Sequence, residues 1–222
     1  MKFLGIIPAR YASTRFPGKP LAVLRGKPMI QRVYERVRPT VDELWVATDD
    51  ERIRQAVEAF GGDVVMTSDT HRSGTDRCRE ACDKVGATAD VVINIQGDEP
   101  LLDPAMIDEV AEALFSGPDV VCSTLCRPLR DEADRSNPNA VKVVLGQNGD
   151  ALYFSRSSIP YPRSTPRVPV YEHIGLYGYR SGFLKRYAEL PMTPLATPTS
   201  AVFKAGASLT PSPIMQTRFS LF

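Results

Sequence analysis

Residues 3–21 read Phe3-Leu-Gly-Ile-Ile-Pro-Ala-Arg-Tyr-Ala-Ser-Thr-Arg-Phe-Pro-Gly-Lys-Pro-Leu21. The apolar run Phe3–Ile7 has the length and continuity of a strand buried on both faces, and Pro8 ends it. The segment that follows carries Arg10, Arg15 and Lys19, with Gly18 between two prolines as for a shaped loop. Lys2, Arg10, Arg15, Lys19, Arg25, Lys27 and Arg32 all precede the first acidic residue, Glu35. In an open α/β sheet, ligands lie beyond the carboxyl ends of the strands, which is where this loop belongs. Forked arginine donors and a lysine point charge suit phosphate oxygens, so the stretch predicts an anion site; a merely solvated basic loop is the plainer alternative.

Outward from this stretch the pattern alternates. Helical stripes are read over Met29–Val37, Glu51–Phe60, Thr75–Val85 and Pro104–Phe115. Between them lie short apolar runs at Leu44–Ala47, Asp63–Met66, Val91–Ile95 and Val120–Leu125. Alternation with fully apolar strands predicts an α/β fold, a doubly wound, Rossmann-like and mostly parallel sheet. From Ala140 the rhythm turns to strands at Val141–Leu145, Ala151–Phe154 and Val170–Tyr179, with a Pro-rich loop at 159–163. A last helix is read over Gly182–Leu190. The expected organisation is one domain over 1–190, containing a central β insertion at about 140–180, and an aberrant tail over 191–222.

Composition narrows the functions. With 222 residues and a net charge of +1, the chain has room for a large core but no general attraction for nucleic acid or membrane, so its basic loop is a local feature. The five-residue apolar run is too short for a signal peptide or a membrane span, which predicts a cytosolic protein. Cys78/Cys82 and Cys122/Cys126 lack the Cys-x-x-Cys spacing of a zinc site and read as free buried thiols. Neither G-x-G-x-x-G nor G-x-x-x-x-G-K-[ST] occurs, and Gly18-Lys19 runs into Pro20. Dinucleotide oxidoreductases and P-loop NTPases are disfavoured.

Two further segments carry polar chemistry. In Asp69-Thr-His-Arg-Ser-Gly-Thr-Asp-Arg77, Ser73 and Gly74 stand at a helix start, where free N–H groups either receive a ligand or are simply capped, with Asp76 favouring the dipole. Gln96-Gly-Asp-Glu-Pro100 follows the strand Val91–Ile95, which puts Asp98 and Gln96 at the same sheet edge as the first loop. A carboxylate there suits Mg²⁺, which takes one or two carboxylates plus phosphate oxygens and water; a plain turn is the alternative. Asp49 and Asp50 compete for the metal role, although they stand where they would cap the next helix.

Ile6-Ile-Pro-Ala-Arg10, Ser13-x-Arg15 and Pro17-Gly-Lys-Pro-Leu21 resemble the signature loop of the sugar-activating cytidylyltransferases, and within them the 3-deoxy-manno-octulosonate (Kdo) cytidylyltransferase family. The likeness runs from the start to about Leu195. It implies transfer of CMP from CTP to Kdo, with pyrophosphate released, Mg²⁺ as cofactor, a role in lipopolysaccharide biosynthesis and a homodimer. It assigns Pro8, Ala9, Arg10, Arg15, Lys19, Arg72, Ser73, Gly74, Asp76 and Gln96 to the nucleotide. Arg10, Lys19 and Asp98 become catalytic, with Asp98 the metal ligand. Gln96, Arg156, His173, Tyr177 and Tyr179 go to the sugar acid. His173, Tyr177 and Tyr179 share one face of a strand by alternation, though a lone strand histidine is often structural.

The likeness fails at the end. After Glu189 the remaining 33 residues hold no Asp or Glu, but five prolines, five threonines and four serines. The family has a second metal-binding carboxylate there. Such a tail is expected to pack poorly, to leave a sheet edge unpaired and to weaken activity. A transferase for another acidic sugar such as sialic acid, and a catalytically impaired nucleotide-binding homologue, are the competing readings.

Overall fold

The computed structural model describes all residues except 13–15, 72, 148, 162–168, 188–206, 209–214 and 221–222. It divides into two compact units, Met1–Asp108 with Arg180–Ala188, and Glu109–Tyr179 with Glu189–Phe222.

The first unit is built on β1 (Phe3–Ala9), in which Leu4, Ile6 and Ile7 are buried. After it come a small hairpin of β2 (Val23–Leu24) and β3 (Lys27–Pro28), then α1 (Met29–Val37). Met29, Ile30, Val33, Tyr34 and Val37 form one buried stripe on α1, the spacing that predicted it. Next are β4 (Glu43–Thr48), α2 (Glu51–Ala59), β5 (Val64–Met66), α3 (Gly74–Val85) and β6 (Val91–Asn94). β1 runs parallel to β4 on one side and to β6 on the other, and β4 runs parallel to β5. Numbered by their order in the chain, these four parallel strands lie 3-2-1-4. The order reverses between β1 and β6, the switch point at which such sheets open a crevice at their carboxyl ends. Every residue of β6 is buried, so this edge of the crevice is anchored by core packing, at ~1.5–3 kcal/mol per buried Val or Ile.

Chain direction changes in the second unit. α4 (Ala105–Ala113) leads into it, followed by β7 (Val120–Pro128), in which Val120, Cys122, Leu125 and Cys126 are buried. β8 (Lys142–Leu145) and β9 (Ala151–Ser155) form a hairpin, and β10 (Tyr171–Arg180) pairs antiparallel with both β7 and β8. The α/β, Rossmann-like arrangement therefore holds, but the parallel reading stops at β6, because β10 returns along β7 from a hairpin and not from a crossover helix. α5 (Ser181–Tyr187) follows β10.

Within the tail, β11 (Ala207–Ser208) pairs with β12 (Met215–Ser220), and β12 pairs antiparallel with β7. The expectation of an unpaired edge is corrected here. Backbone pairing needs no carboxylate, so a segment without acidic residues still covers β7.

Candidate active site

The pocket sits at the switch point and belongs wholly to the first unit. It is a cleft of about 240 Å³ whose walls include Pro8, Ala9 and Arg10 from the end of β1, and Gln96, Gly97 and Asp98 from the end of β6. Lys19 and Pro20 close one side, and Gly74 and Arg77 of α3 another. The two loops meet tightly: a side chain at Gly97 would place its Cβ 3.3 Å from the Pro8 carbonyl oxygen and from Ile7 Cγ2.

The first loop is shaped by a chain of contacts. Gly18 has φ 72°, a left-handed conformation, and its N–H donates to the Tyr11 carbonyl at 2.8 Å. The Tyr11 ring lies against Gly18, and the Arg52 guanidinium stacks 3.3 Å from the ring centroid. Arg52 is held in turn by a forked pair of bonds to Asp50 at 2.9 and 2.6 Å. A short 3₁₀ turn over Lys19–Leu21 then presents the Lys19 ammonium 2.5 Å from Asp98 Oδ2.

Arg10 donates to the His71 carbonyl, which ties the first loop to the segment before α3. That segment is fixed by Glu80, whose carboxylate accepts from Ser68 N at 3.0 Å, pairs with Lys84 at 2.8 Å and contacts the His71 ring. Burial works against the charged carboxylate, but the bonds from Lys84, Ser68 and His71 outweigh it and hold its pKa at about 2. Ser73 and Asp76 form a reciprocal capping box, Asp76 N to Ser73 Oγ and Ser73 N to Asp76 Oδ2, each 3.1 Å. Such a cap contributes ~0.5–2 kcal/mol to the helix. Asp76 is therefore engaged in starting α3, and Gly74, beside it, reaches the pocket.

Arg77 closes the seven-residue motif His71–Arg77 and is the residue the sequence reading passed over. Its side chain is fully buried, lines the pocket and donates to Asp49 Oδ2 at 2.6 Å and to Thr67 Oγ1. Its Nε has no hydrogen-bond partner among the described residues. The competing carboxylates both have other partners. Asp49 is bound to Arg77, and Asp50 caps α2 by accepting from Arg52 N at 3.0 Å. Asp98 alone among the acidic side chains described lines the cleft. Its neighbour Glu99 has its pKa raised, by burial first and by the Asp98 charge second. Among the described residues no group of three or more His, Cys, Asp and Glu gathers as a metal site. A single oxygen donor that already holds a cation fits Mg²⁺ sharing its shell with phosphates and water.

Of the residues assigned to the nucleotide, Pro8, Ala9, Arg10, Lys19, Gly74 and Gln96 converge on the pocket, together with the metal candidate Asp98. Ser73 and Asp76 stand beside it at the cap. Arg15 and Arg72 lie outside the described residues, as do residues 162–163 of the Pro-rich loop.

The residues assigned to the sugar, apart from Gln96, belong to the second unit. His173, Tyr177 and Tyr179 do form one row, with ring centroids 5.3 Å and then 6.2 Å apart, and Phe154 meets His173 edge-on at 4.9 Å. They differ in exposure. Tyr179 is fully buried, so it is placed in the core, whereas Tyr177 is partly open. Thr124 Oγ1 lies 2.9 Å from His173 Nε2, and desolvation pushes the His173 pKa down to about 4. Arg156 donates to the Pro138 carbonyl at 2.7 Å. Close by in the chain, Lys142 is fully buried, its ammonium held by the carbonyls of Asn137, Ala140 and Arg156 at 2.7, 2.6 and 2.7 Å. Burial lowers its pKa. Nothing in the apolar run 140–145 marks this lysine as an internal strut.

Acid lability follows from two of these groups. The folded pKa of His173 lies below the ordinary 6.5, so the unfolded chain takes up the proton first, and stability present above pH 6.5 is lost as pH falls to about 4. Glu80 adds a second loss between its ordinary 4.5 and about 2. Each limb amounts to ~3 kcal/mol. Denaturant unfolding across pH is expected to show His173→Gln flattening the upper limb and Glu80→Gln the lower one. A wild-type curve flat from pH 7 to 4.5 would contradict the His173 assignment.

Residues 4–205 match the model of the family described as Cytidylyltransferase. The chain is 55% identical over 205 residues, 88% of its length and 81% of the relative's, to the 3-deoxy-manno-octulosonate cytidylyltransferase of Parabacteroides distasonis. It is 50% identical, over 84% of its length and 78% of the relative's, to the 8-amino-3,8-dideoxy-manno-octulosonate cytidylyltransferase of Shewanella pealeana. Among solved structures, a CMP:2-keto-3-deoxy-manno-octonic acid synthetase complexed with CTP superposes with a TM-score of 0.81 at 46% identity, covering 87% of this chain and 80% of that one. With its signature loop folded around a cationic cleft at the switch point, this chain belongs to the cytidylyltransferase family, and its relatives include the 3-deoxy-manno-octulosonate cytidylyltransferases.

Proposed function

We propose that this protein transfers CMP from CTP to 3-deoxy-D-manno-octulosonate, releasing pyrophosphate, and so activates the sugar acid for lipopolysaccharide biosynthesis. The observation that carries this reading is the cleft itself, where Arg10, Lys19 and Arg77 converge opposite one carboxylate, Asp98. The names of relatives at about half identity or better supply the substrate. No helix among the described residues is long and apolar enough to cross a membrane, and we place the reaction in the cytoplasm. Residues 1–190 act as one catalytic domain, in a homodimer.

The sugar hydroxyl oxygen attacks the α-phosphorus of CTP and its proton passes to solvent water. The bond from that phosphorus to the bridging oxygen of the β-phosphate breaks, and pyrophosphate leaves. Such transfers need positioning and charge neutralisation more than covalent help. Arg10 and Lys19, with Arg15, neutralise the departing pyrophosphate. Arg77 takes its place in the pocket wall already oriented by Asp49. The Gly74 end of α3 and Gln96 hold the nucleoside side, and Gln96 also meets the sugar. Arg156 forks onto the sugar carboxylate, and His173 and Tyr177 serve the same substrate. Asp98 is the residue that would hold Mg²⁺, which when bound supplies charge neutralisation at the phosphate oxygens.

A pyrophosphate-release assay with CTP, Kdo and Mg²⁺ tests this, run beside the same protein carrying a family-like carboxyl end. Release that requires both CTP and Kdo is the expected result. No release from either protein would overturn it. CTP binding with release only after the end is restored would identify an impaired homologue. The 8-amino analogue of Kdo belongs in the same panel, because one relative is named for it; a preference for that analogue would change the substrate and leave the chemistry standing.

A further inference from the structure

Lys19 and Asp98 face each other across the pocket at 2.5 Å, and both side chains are partly open to solvent. Among the described residues, the other two cations lining the cleft are engaged away from this carboxylate, Arg10 with the His71 carbonyl and Arg77 with Asp49 and Thr67. We propose that Lys19 is a built-in occupant of the cation site on Asp98, so that a divalent cation and a nucleoside triphosphate enter the cleft cooperatively. This rests on the reading of Asp98 as the metal-holding residue.

The physical reason is competition for one oxygen. An ammonium and a divalent cation cannot both lie within bonding distance of Asp98 Oδ2 without strong mutual repulsion. Lysine suits the role of occupant, since it is a compact point charge on a flexible four-carbon stem. Its backbone is held by the turn after Gly18, while its partly exposed flexible stem lets the tip exchange the carboxylate for an arriving phosphate. When phosphates draw the ammonium off, the freed carboxylate takes the cation. By linkage, the cation then favours the phosphates by the same factor.

The test is a Mn²⁺ titration of the full chain without nucleotide or sugar, with free Mn²⁺ read by electron paramagnetic resonance. Lys19→Met is expected to bind Mn²⁺ about two- to fivefold tighter than wild type, the size of an exposed ion pair expressed as a binding ratio. Lys19→Arg, which keeps the charge, is expected to stay as weak as wild type. The Lys19→Met/Asp98→Asn double variant is expected to lose the gain. Equal affinity of wild type and Lys19→Met, no measurable binding in either, or a gain that survives in the double variant would each overturn the proposal. Because no substrate is present, failure here is separable from failure of the transferase reading. A protein that turns over CTP normally yet shows no Lys19→Met gain refutes only the occupant. A protein without turnover that shows the gain refutes only the reaction.

Discussion

Lys19→Ala is expected to lower turnover of CTP and Kdo by about 10²–10³-fold, the cost of losing one positioned charge-stabilising donor. The effect should be chemical and not conformational. Lys19 is partly exposed, and its recorded side-chain partner is Asp98 on the facing wall. The turn that carries it is shaped by Gly18 and by Tyr11 under Arg52, none of which the substitution touches. The unfolding midpoint should therefore stay near that of wild type. If the ammonium acts on charge that develops as pyrophosphate departs, kcat and kcat/KM fall together. A rise in KM for CTP with kcat unchanged would instead mean that Lys19 holds the triphosphate equally in ground and transition states. Unaltered steady-state kinetics would remove Lys19 from the chemistry altogether.

Asp49→Asn is expected to give the largest loss of stability, roughly 3–5 kcal/mol, because it strips the counter-charge from an arginine with no access to water. Arg77 is fully buried, and its bonds run to Asp49 and Thr67. With Asn at 49 the buried guanidinium keeps a neutral partner but loses its anion. Asp50→Asn is the internal control. Asp50 stands one residue along, but it caps α2 and pairs with an exposed Arg52. Asparagine is nearly as good a cap as aspartate, so that change should cost well under ~1 kcal/mol. Urea unfolding of the two variants decides the matter, and equal costs would mean that the Arg77–Asp49 pair carries no special burden. Because Arg77 also lines the cleft, Asp49→Asn should weaken CTP binding in whatever fraction remains folded.

What could be read in advance was local. The stripe Met29–Val37 became α1 with the same bounds, because the burial of one helical face is written in the spacing of its apolar residues. Ser73 and Gly74 announced the start of α3, where Ser73 and Asp76 form the reciprocal cap, both partners lying within one turn. The run of cations without acids pointed to the loop behind β1, whose Arg10 and Lys19 line the cleft. Sequence likewise put His173, Tyr177 and Tyr179 on one face.

Tertiary structure decided which groups share a partner, and which face is dry. Asp49 and Arg77 lie 28 residues apart, and only the parallel packing around β4 and α3 turns two ordinary charges into a buried pair. Lys142 looks like any strand lysine until the carbonyls of Asn137, Ala140 and Arg156 close around it. Tyr179 and Tyr177 alternate identically in sequence, yet one is sealed in the core and the other is not. Periodicity fixes the direction a side chain takes from its own backbone. What waits at the other end is set by chain segments far away, and there alone Lys19 met Asp98.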